Sequence, residues 1–203
     1  MRPALLGLAV AAGAVSCGGG GTQTASSPTP HAGSATDWLL RLDELTLPGF
    51  RVATGTGTID PASLGAGDAT VASAVRAAAV RSAAQAHFFR EVPELATAGG
   101  PIDVTTTVVV CGSAGGATTL RDALARHLDG VPGATGVSTG PLADGGHADL
   151  SQATVQGVTV AQTTLVWRAG DLVSVLVVGE RDTGSPVQDA LVVAAPQVRR
   201  QTR

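Results

Sequence analysis

The chain contains no lysine, no asparagine and no tyrosine, and all 13 of its basic residues are arginine. The missing residues use AT-rich codons, so the bias reads as GC-rich coding. Arginine suits phosphate recognition, but arginine-only basicity does not by itself indicate it. Aromatics number five, two Trp and three Phe, so no aromatic-lined groove is evident. Two cysteines, Cys17 and Cys111, are too few for a disulfide framework. The formal net charge is −3, without a basic stripe. Such a chain is a poor binder of nucleic acid and is poorly suited to lying on anionic lipid by charge alone.

What is present begins at the N-terminus. Arg2 precedes an uncharged run of Ala, Leu, Gly and Val from Ala4 to Val15. The run has the length of a signal-peptide core and falls short of the ~20 residues a spanning helix needs. It ends in Ala14-Val15-Ser16-Cys17, which resembles the bacterial lipobox, with Ala where Leu is usual. The resemblance implies that Cys17 receives a diacylglyceryl group and becomes the first residue of the mature chain. Ala12-Gly13-Ala14 offers an ordinary cleavage site instead, which would leave Cys17 a plain thiol, and an uncleaved anchor is a further alternative. Loss of Arg2 with the signal leaves 12 Arg against 16 acidic residues. Gly18 to Gly21 and the Ser/Thr/Pro-rich stretch to Thr36 read as a tether, with a reach of roughly 25 Å as a random coil. The expected organisation is a signal peptide over 1–16, a lipidated Cys and tether over 17–36, and one extracytoplasmic domain over 37–203. With Cys17 acylated, Cys111 is a buried thiol; otherwise a Cys17–Cys111 disulfide is open.

Within the domain, Thr36 and Asp37 offer a cap for a helix from Trp38 to Leu45, stopped by Pro48-Gly49. Phe50–Val52 reads as a short strand and 54–67 as a loop. Asp68 caps an alanine-rich helix from Ala69 to about Ala86. The stretch 87–95 continues that helix to Arg90 or forms an edge strand; Pro93 excludes it from a central one. Ile102 to Cys111 alternates as a strand. A helix from Ala117 to Asp129 buries Ala117, Leu120, Leu124 and Leu128, and a loop follows over 133–146. Three strands follow as a meander over 147–155, 158–167 and 172–179, with a hairpin turn at Arg168-Ala169-Gly170-Asp171. Ser185-Pro186 opens a last helix that Pro196 should end or kink. The class is α+β: an antiparallel sheet of about five strands with helices packed largely on one face.

The order VVVCGSAGGA, helix, Gly-rich loop, then VWRAGDLVSVLVVG and a last helix resembles a group of functionally unassigned envelope lipoproteins of high-GC bacteria. The likeness covers roughly Ala69 to Arg203 and is carried mostly by the Arg168/Gly170/Asp171 turn. A more distant similarity, in topology alone, is to extracellular sensor domains of bacterial kinases and to PsbP/Mog1-like folds. Neither resemblance brings catalytic residues with it.

Three clusters are candidates for chemistry. Cys111-Gly112-Ser113-Ala114-Gly115 lies between a strand and a helix, as a nucleophile elbow does, with Cys in place of the first Gly. A base would come from His127 or His147, with Asp149 or Asp144 as acid, but an antiparallel meander is the wrong setting. The same loop lacks the lysine of a phosphate loop. Asp144, His147 and Asp149 offer oxygen and imidazole ligands to a divalent ion, although the adjoining Gly145-Gly146 marks a solvated loop. Trp38 and Trp167 read as core residues. A helix-free sheet face carrying Thr105, Thr107 and Ser174 is the expected partner surface. Together these readings favour a membrane-anchored lipoprotein on the extracytoplasmic face with a non-enzymatic binding or sensing role. No catalytic residue, cofactor or metal is expected, and Cys17 is the lipidation site. The partners are the membrane through the lipid, and a protein, small-molecule or lipid ligand. The alternatives are a small secreted serine hydrolase using Ser113, and an accessory envelope protein with protein partners only.

Overall fold

The computed structural model describes residues 30–182 and 184–203. The expected signal peptide and lipidation site, residues 1–16 and Cys17, lie outside the described residues. No helix of the described residues is long and apolar enough to cross a membrane.

The strands are β1 (Phe50–Val52), β2 (Gly57–Thr58), β3 (Ser82–Arg90), β4 (Pro101–Val110), β5 (Ala134–Val137), β6 (Gly146–Val155), β7 (Val158–Ala169) and β8 (Leu172–Arg181). The helices are α1 (Ala69–Ala77), α2 (Ala114–Asp129) and α3 (Pro186–Gln201). All strand pairs are antiparallel, in the order β1-β3-β4-β8-β7-β6-β5, with β2 also on β3. The α+β class is as expected, but the sheet has eight strands rather than about five. The extra ones are short edges and β3, which lack the long alternating runs that announce a strand.

The helices also divide between the two faces instead of sharing one. Successive residues of a strand point to opposite sides, and two separate cores result. One gathers Val108, Val110, Leu165, Trp167, Leu172 and Leu176 beneath α3. The other gathers Val109, Cys111, Val166 and Val173 beneath Val71, Val75, Leu120 and Ala123 of α1 and α2. Each fully buried Leu or Val contributes roughly 1.5–3 kcal/mol. Burial on both sides explains why β4 and β8 are apolar at nearly every position near their paired ends.

Local departures from the sequence reading have identifiable causes. The alanine-rich helix stops at Ala77 instead of Ala86, because Ala79 takes a left-handed backbone (φ 48°). The chain then turns back as β3, pairing Ser82 to Phe89 with β4. Burial of Ala84, Ala86 and Phe88 in the core on the α3 face of the sheet overrides alanine's helix preference. Trp38 to Leu45 forms two 3-10 turns, Ala35–Trp38 and Leu42–Glu44, rather than one helix. Asp37 caps the first by accepting from the Ser34 amide at 2.7 Å. Pro196 does not end α3, which runs on to Gln201.

Two polar devices fix the ends of the fold. Gln197 and Gln201 are buried one turn apart on α3. The Gln201 side-chain oxygen accepts from Trp167 Nε1 at 2.9 Å and Ser174 Oγ at 3.1 Å, and its amide donates to the Trp38 carbonyl. Gln197 accepts from Thr106 and donates to the same carbonyl. The second device holds residues that the sequence assigns to the tether. Asp171, 4% exposed, accepts from the His31 backbone amide at 3.0 Å and pairs with His31 Nδ1 at 2.6 Å and with Arg81. The other imidazole nitrogen lies 2.9 Å from the Gln201 carbonyl, and the ring meets Trp38 edge to face. Gly170 makes room for it: a Cβ there would lie 2.9 Å from His31 Cε1. The packed part of the chain therefore reaches back to His31. Burial pushes the Asp171 carboxyl up, but the His31 amide and imidazole outweigh this and hold it below the usual carboxylate range.

Candidate ligand-binding site

The serine turn is structural. Ser113 has an extended backbone (φ −160°, ψ 163°), not a strained elbow, and its Oγ caps α2 by accepting from the Gly116 amide at 3.0 Å. His127 pairs with Asp68, and His147 with Asp149 and Asp129; neither bonds Ser113. The neighbouring glycines serve close packing, since a Cβ on Gly116 would lie 2.9 Å from the Ala78 carbonyl oxygen. Cys111 is a free, fully buried thiol. Burial, reinforced by the Asp171 charge, pushes its pKa up to about 12, far from a reactive thiolate.

The expected metal ligands separate. Asp144 accepts from the Gly170 amide and lies 3.4 Å from Arg168, bracing the hairpin turn. Asp129, from the end of α2, takes its place: donor atoms of Asp129, His147 and Asp149 lie within 4.8 Å of one another. His147 Nε2 is 2.7 Å from the buried Asp149 carboxylate and 3.3 Å from Asp129. A proton on Nε2 satisfies the buried acid, so this arrangement is complete as a hydrogen-bonded group. The expected partner face also divides. Thr105 and Thr107 are half-buried on the α1–α2 face, whereas Ser174 is buried beneath α3 on Gln201.

A different place has the character of a binding site. An apolar pocket of about 280 Å³ opens between the segment before β1, the start of β4 and the first turns of α3. Leu45, Leu47, Phe50, Pro101, Val192 and Val193 form its walls, and Asp189 is its one charged lining residue. Small-ligand sites combine apolar walls with few polar groups in this way, and the volume is near the lower end of their range. A larger hollow of about 420 Å³ lies between Pro61 and α1, with Arg76 as its charged residue.

Behind the first pocket stands Glu180, with no exposed surface. Its register partner on β4 is Pro101, and its nearest acidic neighbour on α3 is Asp189; both line the cavity. Apart from a proton shared with the Asp189 carboxyl, neither oxygen of Glu180 has a hydrogen-bond donor. Burial pushes the Glu180 carboxyl up to about 7; the charge of Asp189, a hydrogen bond to the Asp189 carboxyl and the charge of Asp182 act in the same direction. Unsatisfied buried carboxylates are costly, and such groups concentrate at functional sites. No sequence signal marked this residue, because Glu180 sits near the end of β8, where an acid is ordinary.

No family model matches the chain, and no curated protein matches it. Among solved structures it is similar to the extracellular domain of PknH from Mycobacterium tuberculosis, at 8% identity, over 85% of this chain and 98% of that one, with a TM-score of 0.47. A likeness at that level shows neither a shared fold nor a shared function.

Proposed function

We propose that the chain is a lipid-anchored extracytoplasmic binding protein whose domain holds a small ligand in the pocket between Leu45, Pro101 and α3. The observation that carries this reading is the apolar cavity with its carboxyl group on one wall and an unsatisfied carboxyl behind it. Its role is non-enzymatic: the serine turn serves as a helix cap, and the buried thiol is far from a nucleophile. The anchor and the address rest on the apolar run and Ala14-Val15-Ser16-Cys17. The diacylglyceryl group on Cys17 is the contact with the membrane, and the His31 clamp on Asp171 marks where the tether ends.

Native mass spectrometry of the protein extracted from bacterial membranes tests both parts. The expected mass is that of a chain starting at an acylated Cys17, with Cys111 free and a small-molecule adduct bound. Val192→Trp, which fills the pocket mouth from a half-exposed position, should lose the adduct. A chain starting at Val15, or a Cys17–Cys111 disulfide, would remove the anchor. Failure to retain any adduct that depends on Val192 would remove the binding role.

A further inference from the structure

We propose that the pocket selects a ligand with an apolar body and an ammonium group, the ammonium being held by Asp189 with Glu180 behind it. This inference rests on the pocket being the binding site and adds the class of ligand. Two independent features carry it. The walls are aliphatic and aromatic carbon, which suits a chain of a few methylenes. Of the lining side chains only Asp189 is charged, and the Thr46 hydroxyl is the other polar group. Glu180 is fully buried with both oxygens lacking a donor, and the neighbouring Asp189 carboxyl can supply one only when a proton is shared.

The protein's own cations leave this demand open. Among the described residues no arginine or histidine pairs with Asp189. Arg90 lies beside the pocket wall, its guanidinium carbon 5.9 Å from the Phe50 ring centroid. Its guanidinium is already committed to the carbonyls of Gly99, Gly100 and Pro101. Arg200, farther along α3, pairs with Glu44 and the Leu39 carbonyl. An incoming ammonium brings three donors and a positive charge to a place with two carboxyls, one of them fully buried. A ligand ending in a carboxylate would add a third like charge and be rejected, which is the element of selection against a competitor.

The test is isothermal titration of residues 17–203 carrying Cys17→Ala, which lack both the apolar run and the lipid so that no detergent competes, with hexylammonium, hexan-1-ol and hexanoate at pH 8. Hexylammonium should bind at least tenfold more tightly than hexan-1-ol, and hexanoate more weakly than either. In the double variant Glu180→Gln/Asp189→Asn the two uncharged-versus-cationic affinities should converge while hexan-1-ol binding persists. Thermal melting of that variant, and its retained hexan-1-ol binding, report that the pocket is intact. Equal affinity for hexylammonium and hexan-1-ol in the parent chain would overturn the ammonium selection and leave the pocket standing, as would a preference that survives the double variant. Absence of binding by every probe would overturn the pocket reading and this inference together.

Discussion

At the turn between β7 and β8, Asp171 gives up water for the His31 amide, the His31 imidazole and the Arg81 guanidinium. Its carboxyl is held below the usual range. A depressed folded-state pKa gives stability that is present above the unfolded value and lost as pH falls through the folded one. Asp171→Asn should therefore lower stability at pH 7 by about 1–3 kcal/mol, and the deficit should narrow in acid. Urea unfolding at pH 7 and pH 3 reads this; an unchanged midpoint at pH 7 would contradict the clamp. Cys111 makes a second residue-scale prediction. With its pKa pushed up to about 12 in a closed core, it should resist a thiol reagent in native buffer and react once unfolded in urea. The Arg168-Gly170-Asp171 turn was legible as a turn in the sequence. Its second use was not, because the partner, His31, is 140 residues away inside a stretch with tether composition.

The elements that the sequence announced are those with sustained alternation or clear caps. β4, β6, β7, β8 and α2 stand close to where periodicity puts them. The alanine run misled because Ala fits both a helix face and the closely packed face of a sheet. Only the pairing of β3 with β4, a non-local fact, decides between them. Pro196 misled in the other direction: α3 tolerates the lost hydrogen bond because the sheet contacts of Ala194, Gln197 and Gln201 hold both sides of it. Those contacts can be weighed. Gln201→Ala leaves Trp167 Nε1 and Ser174 Oγ without their partner, and stranding a buried donor costs about 1–3 kcal/mol. A denaturant midpoint lowered by that amount, with Trp fluorescence altered, is expected; a neutral effect would mean that α3 is held by its apolar stripe alone.

For the whole molecule, two of the buried acids, Asp171 and Glu180, work in opposite pH ranges. Asp171 strengthens the fold above the ordinary carboxylate range. Glu180 does the reverse: its folded-state pKa is raised to about 7, so its contribution is complete below the unfolded value and lost as pH rises through about 7. Glu180→Gln keeps the shape and removes the titration. It should raise the melting temperature over the parent at pH 8 and change it little at pH 4. A gain of equal size at both pH values would show that Glu180 is not a buried, titrating acid. The same residue ties stability to the pocket, since an acid without donors is tolerated where a ligand can supply them.

The account turns on the pocket between Leu45, Pro101 and α3 being the place where this domain binds. Amide chemical shifts of the isotope-labelled full chain, followed during a titration with hexan-1-ol, test that most directly. Shifts concentrated at Leu45, Gly100, Asp189 and Val193, and abolished in Val192→Trp, are the predicted result. Shifts centred on the hollow at Pro61 and Arg76, or on Thr105 and Thr107, would contradict it.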